Sequence, residues 1–384
     1  MIYTLTPRHI TPWVEQFFSG NVLLLEDPDI QGLSYETQQQ FLDRIQSIVT
    51  DNHVETIVLD IWNPVKINDN DGRKTQLTLA EIHNDLSQIT TSYLIVCDYT
   101  YFYQPHPNII FFSWILWIIS QKLIEEYVVS QKHLLLSWIP NITVYDIPFV
   151  KKTRTLMSLN MNATWHRIYL FSLLAGKSWF NRIGYSFHAI TGYNSSISFQ
   201  ERLDMFSIKR YLSLEERESA ASYGHLLPIR LPNDRITTGP DRMWFGGSSS
   251  IDSPIYSEYA INLVTETSLT DGIGLSEKTA KPFMAYQIPI IVGPIGITKF
   301  FEDMGLDMFS DYIPWRTWDQ EPDHKTRIRM IVEFLDRLLL SPSAEQDILR
   351  AHESFAPRLL KNKEHFHSTD FANLMAKQIR NVKS

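Results

Sequence analysis

A carboxylate and an ammonium group stand side by side at Glu277 and Lys278, where a predicted turn becomes a predicted helix. An apolar strand, Ile288–Val292, is predicted after that helix and ends in a Gly-Pro pair. A lysine at a helix start adds its charge to the exposed N–H groups and the positive end of the dipole, which favours a bound diphosphate. A neighbouring carboxylate accepts hydrogen bonds from paired ribose hydroxyls. The two residues therefore predict a pocket for a nucleotide sugar.

The residues around this pair extend the candidate site. Glu266 closes the preceding strand, Ser276 stands at the helix cap, and Thr279 lies in the first turn of the helix. Ser-Glu-Lys-Thr is also the ordinary start of an exposed, well-capped helix, and the four residues alone leave both interpretations open. The ordered series of strand, acid, turn, helix and strand favours the binding of a nucleotide-sugar donor.

A second group of candidates lies in a predicted loop at residues 160–165 and at the start of the helix that follows. Asn160, His166 and Arg167 are expected in the same cleft as Lys278. An arginine binds phosphate with two parallel hydrogen bonds, so Arg167 and Lys278 together would neutralise a leaving diphosphate without a metal ion. For His166, a donor contact and a surface position at the helix start both remain open.

Apolar strands alternate with helix-period segments over the first 150 residues, and a second series of the same kind begins near residue 154. This alternation predicts an α/β protein with parallel sheets covered by helices. We expect one domain at residues 1–150, a second at residues 151–340 and a helical tail at residues 341–384. The predicted strands include Val22–Glu26, 56–60, 93–97, 133–137, 154–159 and Ile288–Val292.

Composition and charge limit the classes of function. The chain has 35 Lys and Arg against 43 Asp and Glu, and this net charge of −8 argues against binding along a nucleic-acid backbone. Cys97 is the only cysteine, so no internal disulfide forms and a reducing compartment is expected. The first residues lack the basic start and apolar run of a secretory signal, which favours a cytoplasmic protein.

The longest apolar run, residues 109–119, is far short of the ~20 residues that span a bilayer, so no integral membrane segment is expected. The run is either a buried strand or helix, or a surface patch that brings the protein to a lipid-linked acceptor through Trp114 and Trp117. No basic face beside it supports the second interpretation, and a location peripheral to a membrane stays an alternative.

The segment at residues 256–340 resembles the nucleotide-sugar-binding half of GT-B glycosyltransferases, in particular the fucosyltransferase-like and exostosin-like groups. The resemblance rests on the strand end at residues 264–267, the turn at 276–279, the Pro-Ile-Ile-Val-Gly strand at 289–293 and the Met-Gly-Leu-Asp-Met-Phe segment at 304–309. The rest of the chain agrees with these groups only in the order of its predicted strands and helices. These groups imply a fold of two Rossmann-like domains.

In this resemblance the first domain binds the acceptor, the second binds the nucleotide sugar, and the C-terminal helices cross back to the first domain. Glu277 and Lys278 would contact the ribose and the phosphate of the donor, and the fucosyltransferase-like enzymes place a basic residue at a position similar to that of Arg167.

A transferase that inverts the anomeric configuration needs a base for the acceptor hydroxyl. Acids at the carboxyl ends of the first domain's strands are the candidates, because α/β sheets present their sites there. Asp98 is the first candidate, since Tyr99, Tyr101 and Tyr103 follow it and suit sugar stacking, and Asp27 is the second. A retaining enzyme needs no dedicated base, and the stereochemistry stays open.

No metal and no other cofactor is expected. GT-A glycosyltransferases hold a divalent metal with an Asp-any-Asp triplet, and this spacing occurs at Asp27-Pro-Asp29 and at Asp69-Asn-Asp71. The second triplet lies in a run of turn-forming residues, which predicts a surface loop. No cysteine or histidine cluster has the spacing of a zinc site.

The predicted activity is the transfer of a sugar from a nucleotide donor to a hydroxyl of a glycan or a lipid-linked polysaccharide intermediate. One alternative is a phage-type enzyme that glycosylates a hydroxylated base in DNA, against which the acidic balance weighs. The other is a degenerate GT-B fold that only binds a glycan or a partner, against which intact Glu277, Lys278 and Arg167 weigh.

Overall fold

A computed structural model describes most of residues 148–371 and eight elements before residue 148. The described residues are 2–4, 22–26, 38–51, 53, 56–61, 66–68, 74–76, 93–97, 109–111, 148–190, 198–229, 231, 254–266, 269, 277–341, 343–368, 370–371 and 374. Contacts divide the chain into two units. The first comprises Met1–Leu135, Thr270–Leu275 and Thr369–Ser384, and the second comprises Leu136–Leu269 and Ser276–Ser368.

The first unit contains a parallel sheet of five strands, in the spatial order Ile2–Thr4 (β1), Val22–Glu26 (β2), Thr56–Ile61 (β3), Tyr93–Cys97 (β6) and Ile109–Phe111 (β7). Strands such as Thr56–Ile61 and Tyr93–Cys97 are nearly continuous apolar runs, the pattern of strands covered on both faces. Its elements are β1 Ile2–Thr4, β2 Val22–Glu26, α1 Gln38–Asp51, β3 Thr56–Ile61, the antiparallel pair β4 Lys66–Asn68 and β5 Lys74–Gln76, β6 Tyr93–Cys97 and β7 Ile109–Phe111.

The second unit is built on a four-stranded parallel sheet. Its strands are β8 Arg154–Asn162, β9 Gly184–Ile190, β10 Tyr259–Thr265 and β11 Ile288–Val292, in the spatial order β9-β8-β10-β11. Every residue of β10 and β11 is buried. The chain leaves β8 to form β9 on one side and later forms β10 on the other side, so the direction of winding reverses between β8 and β10.

Helices surround this sheet, and two of them begin with capping boxes, at Ser198 with Glu201 and at Ser213 with Glu216. The helices of the second unit are α2 Trp165–Ala175, α3 Phe199–Ile208, α4 Leu214–Ser222, α5 Pro254–Glu258, α6 Glu277–Met284, α7 Ile297–Asp303, α8 His324–Leu339, α9 Ala344–Ser354 and α10 Ala356–Phe366. Single 3-10 turns lie at Phe180–Arg182, Gly224–Leu226 and Trp315–Thr317. No helix among the described residues is both long and apolar enough to cross a bilayer.

The helices α9 and α10 belong to the second unit. The helix α9 packs on β8 and β10, and α10 packs on α6. Arg358 forms ion pairs with Asp307 and Asp311, while the Asn362 amide exchanges two hydrogen bonds of 2.7 Å with the Asp307 backbone. Two helices of the predicted tail at residues 341–384 therefore belong to the second unit. Packing of the rest of the tail on the first unit stays a prediction.

The alternation of strands and helices is confirmed as an α/β fold with a parallel four-stranded sheet. One local prediction is wrong. The loop expected at residues 160–165 is much shorter, because β8 continues to Asn162 and α2 begins at Trp165. Asn160 is therefore a strand residue, and the turn between β8 and α2 contains only Ala163 and Thr164.

Candidate functional site

Polar side chains gather at the carboxyl edge of the second unit's sheet, where the winding reverses between β8 and β10. Ligands of open α/β sheets bind outside this edge at such a reversal. The chain brings three separate segments together there: the end of β8 with the start of α2, the end of β10, and the start of α6. The residues in contact are Ser158, Asn160, Thr164, His166, Arg167, Thr265, Glu266 and Thr279.

Glu266 joins the starts of two helices. Its main-chain oxygen accepts from His166 Nε2 at 3.0 Å and from Arg167 Nη2 at 3.3 Å, both on α2. Its carboxylate accepts from the hydroxyl of Thr279 on α6, and its own N–H donates to Val292 O at 2.9 Å. Glu266 and Thr279 are fully buried. This residue therefore fixes the end of β10 relative to both helix starts.

The Arg167 side chain lies inside the protein, with 3% of its surface exposed. Its Nη2 donates to Thr265 O at 3.0 Å as well as to Glu266 O. Backbone carbonyls at a strand end are left without a partner in the sheet, and a buried carbonyl needs one. The geometry gives Arg167 a positioning role at the end of β10, and a phosphate contact for Arg167 stays a prediction.

His166 is also buried, so the surface position that was one of its two interpretations is wrong. Burial, followed by the positive charge of Arg167, lowers the pKa of His166 to about 3. The ring is therefore neutral near neutral pH. Because the Glu266 carbonyl can only accept, the shared hydrogen lies on Nε2, which is also 3.1 Å from Thr164 Oγ1.

A short chain of hydrogen bonds links β8 to β10 beneath this edge. Thr265 donates to the Asn160 side-chain oxygen, Asn160 Nδ2 donates to Ser158 Oγ at 3.1 Å, and Ser158 Oγ donates to Leu263 O at 2.9 Å. Asn160 is buried within this chain. Its side chain therefore supports the geometry of the edge, and a direct donor contact stays a prediction.

Lys278 occupies the second position of α6, and its side chain is partly exposed. Among the described residues of the predicted donor site, it alone carries a cationic side chain that is not buried. Ser276 and the side chain of Glu277 lie outside the described part of the structure, as do the predicted catalytic residues Asp98 and Asp27.

The start of α2 lacks a side-chain cap from its own N-cap residue. Thr164 has the extended backbone of an N-cap, but its hydroxyl is bonded to His166 and does not accept from the helix backbone. Uncapped N–H groups at a helix start form a binding site for anions. The turn from β8 to α2 is therefore a candidate for an anion site, and a phosphate contact there stays a prediction.

An aromatic group that the sequence patterns missed adjoins this turn. The rings of Trp165 and Tyr211 stack with centroids 5.8 Å apart and planes 8° apart, and His324 lies 6.3 Å from Trp165. Trp165 is partly exposed and Tyr211 is exposed. The signal in the sequence that could have found this group was the position of Trp165, directly before the site residues His166 and Arg167.

Within the described residues, no group of three or more His, Cys, Asp or Glu side chains is arranged to hold a metal ion. No protein-family model, curated protein or solved structure matches the chain. The geometry of the edge is therefore the basis for any functional conclusion.

Proposed function

We propose that the carboxyl edge of the second unit's sheet binds a nucleoside-diphosphate sugar and that the protein is a glycosyltransferase of GT-B type, with two Rossmann-like domains. One observation carries the proposal. The start of α2, which its own N-cap residue does not cap, and the start of α6, with Lys278, are both bonded to Glu266 at the point where the sheet reverses its winding. Two helix starts and one accessible cation fit the two phosphates of such a donor.

In this proposal some residues of the edge bind the donor and others support the edge. The backbone of the α2 start and Lys278 bind the diphosphate, and they stabilise the negative charge that grows on it as the sugar leaves. His166, Arg167, Asn160 and Thr279 hold the edge in shape. Glu277 accepts from the ribose hydroxyls in this proposal.

The acceptor is a hydroxyl of a glycan or of a lipid-linked glycan. A carboxylate of the first unit, Asp98 or Asp27, takes the proton of that hydroxyl. Neither a metal ion nor another cofactor takes part in the proposed step.

A second candidate function is binding of a nucleotide or glycan without transfer. The observation in its favour is that Arg167 and Glu266, two of the predicted donor contacts, are buried and bonded within the protein. A site that only binds would retain the same internal support for its edge. Release of the nucleoside diphosphate from the donor distinguishes the two functions, because only a transferase breaks the glycosidic bond.

The first experiment is a thermal-shift panel of UDP, GDP, CMP, ADP and dTDP sugars, with and without EDTA. A ligand that binds only the folded state raises the apparent stability. We expect one nucleotide class to stabilise the protein, with no effect of EDTA. Release of the nucleoside diphosphate from that donor, with and without glycan acceptors, then tests for transfer.

Lys278→Ala should weaken binding of that nucleotide by roughly ten- to a hundredfold, because a hydrogen bond to a charged group contributes about 1.5–3 kcal/mol. The matched control is Lys361→Ala, which removes an exposed lysine from α10 and should leave binding unchanged. A folded Lys278→Ala protein with the binding of the wild type would refute the proposed site.

A further inference from the structure

The turn that joins α3 to α4 carries an exposed apolar cluster. We call residues 208–214 the α3–α4 tip. Ile208 is 82% exposed, Leu214 is 64% exposed and Tyr211 is 45% exposed. Single exposed apolar residues are common on protein surfaces, but a group of them within one turn marks a surface that contacts another protein or a membrane.

The tip is held rigidly from beneath. Phe206 and Leu212 are buried, and the Phe206 ring packs edge-on against Tyr211 at 6.2 Å. Arg210 has a φ of 59°, and its N–H donates to Ser207 O at 2.9 Å, which closes the end of α3. These contacts hold the backbone of the tip in place, and the exposed side chains project from it into solvent.

Two cations lie inside the apolar cluster. Lys209 and Arg210 are exposed, and neither side chain forms an ion pair with a described residue. Two acids near the tip are already neutralised: Asp204 pairs with Arg217, and Glu216 pairs with Lys325. The exposed Glu215 and Glu218 lie beyond the tip on α4.

We propose that the α3–α4 tip binds the surface of an anionic membrane. Apolar side chains beside Lys and Arg are the pattern of contacts that lie in the lipid headgroup region. Tyr211 and its stacked neighbour Trp165 are residue types that favour the same region. A protein partner fits less well, because the centres of protein interfaces are depleted in lysine.

The net charge of the chain favours one orientation of the protein on an anionic membrane, with the tip towards the bilayer. At −8 the protein as a whole is repelled by an anionic bilayer, so only a local cationic surface can approach it. The tip combines such a surface with apolar side chains. It also lies beside Trp165, the first residue of α2, so the membrane contact would place the carboxyl edge close to the bilayer. This last consequence rests on the proposed function and favours a lipid-linked acceptor.

The test is cosedimentation of the full chain with vesicles of phosphatidylcholine, alone or mixed with phosphatidylglycerol. We expect binding to the mixed vesicles only, and weaker binding as salt is raised. Ile208→Ser with Leu214→Ser, and separately Lys209→Gln with Arg210→Asn, should each lower binding by roughly tenfold. Asn is chosen at Arg210 because it tolerates a positive φ. The control pair is Leu340→Ser with Leu360→Ser, two exposed leucines outside the tip, which should bind as the wild type does.

Wild-type protein that stays in the supernatant with both kinds of vesicle would overturn the proposal. So would equal binding by the tip variants and the control pair. Light scattering tests the other occupant, a second copy of the chain. A wild-type dimer that becomes a monomer in Ile208→Ser with Leu214→Ser would assign the tip to self-association and overturn the membrane contact.

The same variants keep this inference separate from the proposed function. Both tip variants should retain the nucleotide-dependent thermal shift of the wild type. A nucleotide shift without vesicle binding would refute the membrane contact alone. Vesicle binding without any nucleotide shift would refute the donor site and leave the membrane contact in place.

Discussion

Two turns of the second unit leave the same sheet edge on either side of β10, and each leads into a helix, but they satisfy the helix start in different ways. At the turn from β11 to α7, the Asp319 carboxylate accepts from the N–H groups of Thr298 and Lys299 at 2.9 and 3.0 Å. At the turn from β8 to α2, the Thr164 hydroxyl bonds to His166, and this N-cap residue gives the helix no side-chain cap. A helix start that a buried carboxylate already fills has no place for a phosphate.

The two turns also differ in backbone. The β11–α7 turn contains Gly293 and Gly296, and Gly296 has a φ of 76°, a conformation that glycine adopts without strain. Its N–H donates to Asp319 O at 2.8 Å, so the turn and the cap are held by one residue. The shorter β8–α2 turn is held instead by side chains at the start of α2, which bond across to β10. The first arrangement caps α7, whereas the second orders the start of α2 without a side-chain cap from the N-cap residue.

The largest effect is expected from Arg167→Met. This change removes the hydrogen bonds to the buried carbonyls of Thr265 and Glu266, and we expect it to lower the free energy of unfolding by about 3 kcal/mol. Urea-induced unfolding measures the loss. The control is Arg217→Met, which removes a surface ion pair with Asp204 and should cost less than about 1 kcal/mol.

The same variant decides the role of Arg167. If Arg167→Met has the stability of the wild type but no longer binds the nucleotide, Arg167 is a ligand contact and its positioning role is wrong. A lower stability with nucleotide binding preserved at low temperature supports the positioning role.

Asp319→Ala should have the next largest effect. It leaves the buried N–H group of Thr298 and the part-buried N–H group of Lys299 without their acceptor, at a cost of about 2 kcal/mol. The control is Asp323→Ala, which removes an exposed cap from α8, where the carboxylate accepts from Thr326 N at 2.7 Å, and should cost about 1 kcal/mol. Both variants should keep the nucleotide response of the wild type. Loss of that response in Asp319→Ala alone would place the β11–α7 turn in the site and remove the contrast between the two turns.

The comparison also shows what the sequence could predict. Apolar runs such as Ile288–Val292 predicted the parallel strands, because strands buried on both faces are apolar throughout. The end of β10 at Glu266 and the start of α6 near Lys278 followed from the ordered series of strand, acid, turn and helix. The convergence of these segments with the start of α2 at one sheet edge was predicted as well.

The partners within the edge could not be predicted from local patterns. The helix α2 is buried from His166 to Ser172 without interruption, so it has no apolar stripe that distinguishes an inner face from an outer one. Arg167 bonds to carbonyls almost a hundred residues away, and Asp319 caps a helix that begins 22 residues before it. The exposed Ile208 and Leu214 also differ from the usual burial of these residue types. Each of these features depends on tertiary contacts.

The smallest effect on stability, and the sharpest test of the two turns, is expected from Thr164→Asp. An aspartate at this N-cap accepts from the α2 backbone and adds a negative charge at the positive end of the helix, as Asp319 does for α7. It should raise the free energy of unfolding by about 1 kcal/mol and abolish the nucleotide-dependent thermal shift, because the carboxylate takes the place of the phosphate. The control is Ser198→Asp, which makes the same charge change at the exposed N-cap of α3 and should leave nucleotide binding intact. A more stable Thr164→Asp protein that still binds the nucleotide would show that the start of α2 is not the phosphate site, and the diphosphate would then have to lie at the start of α6.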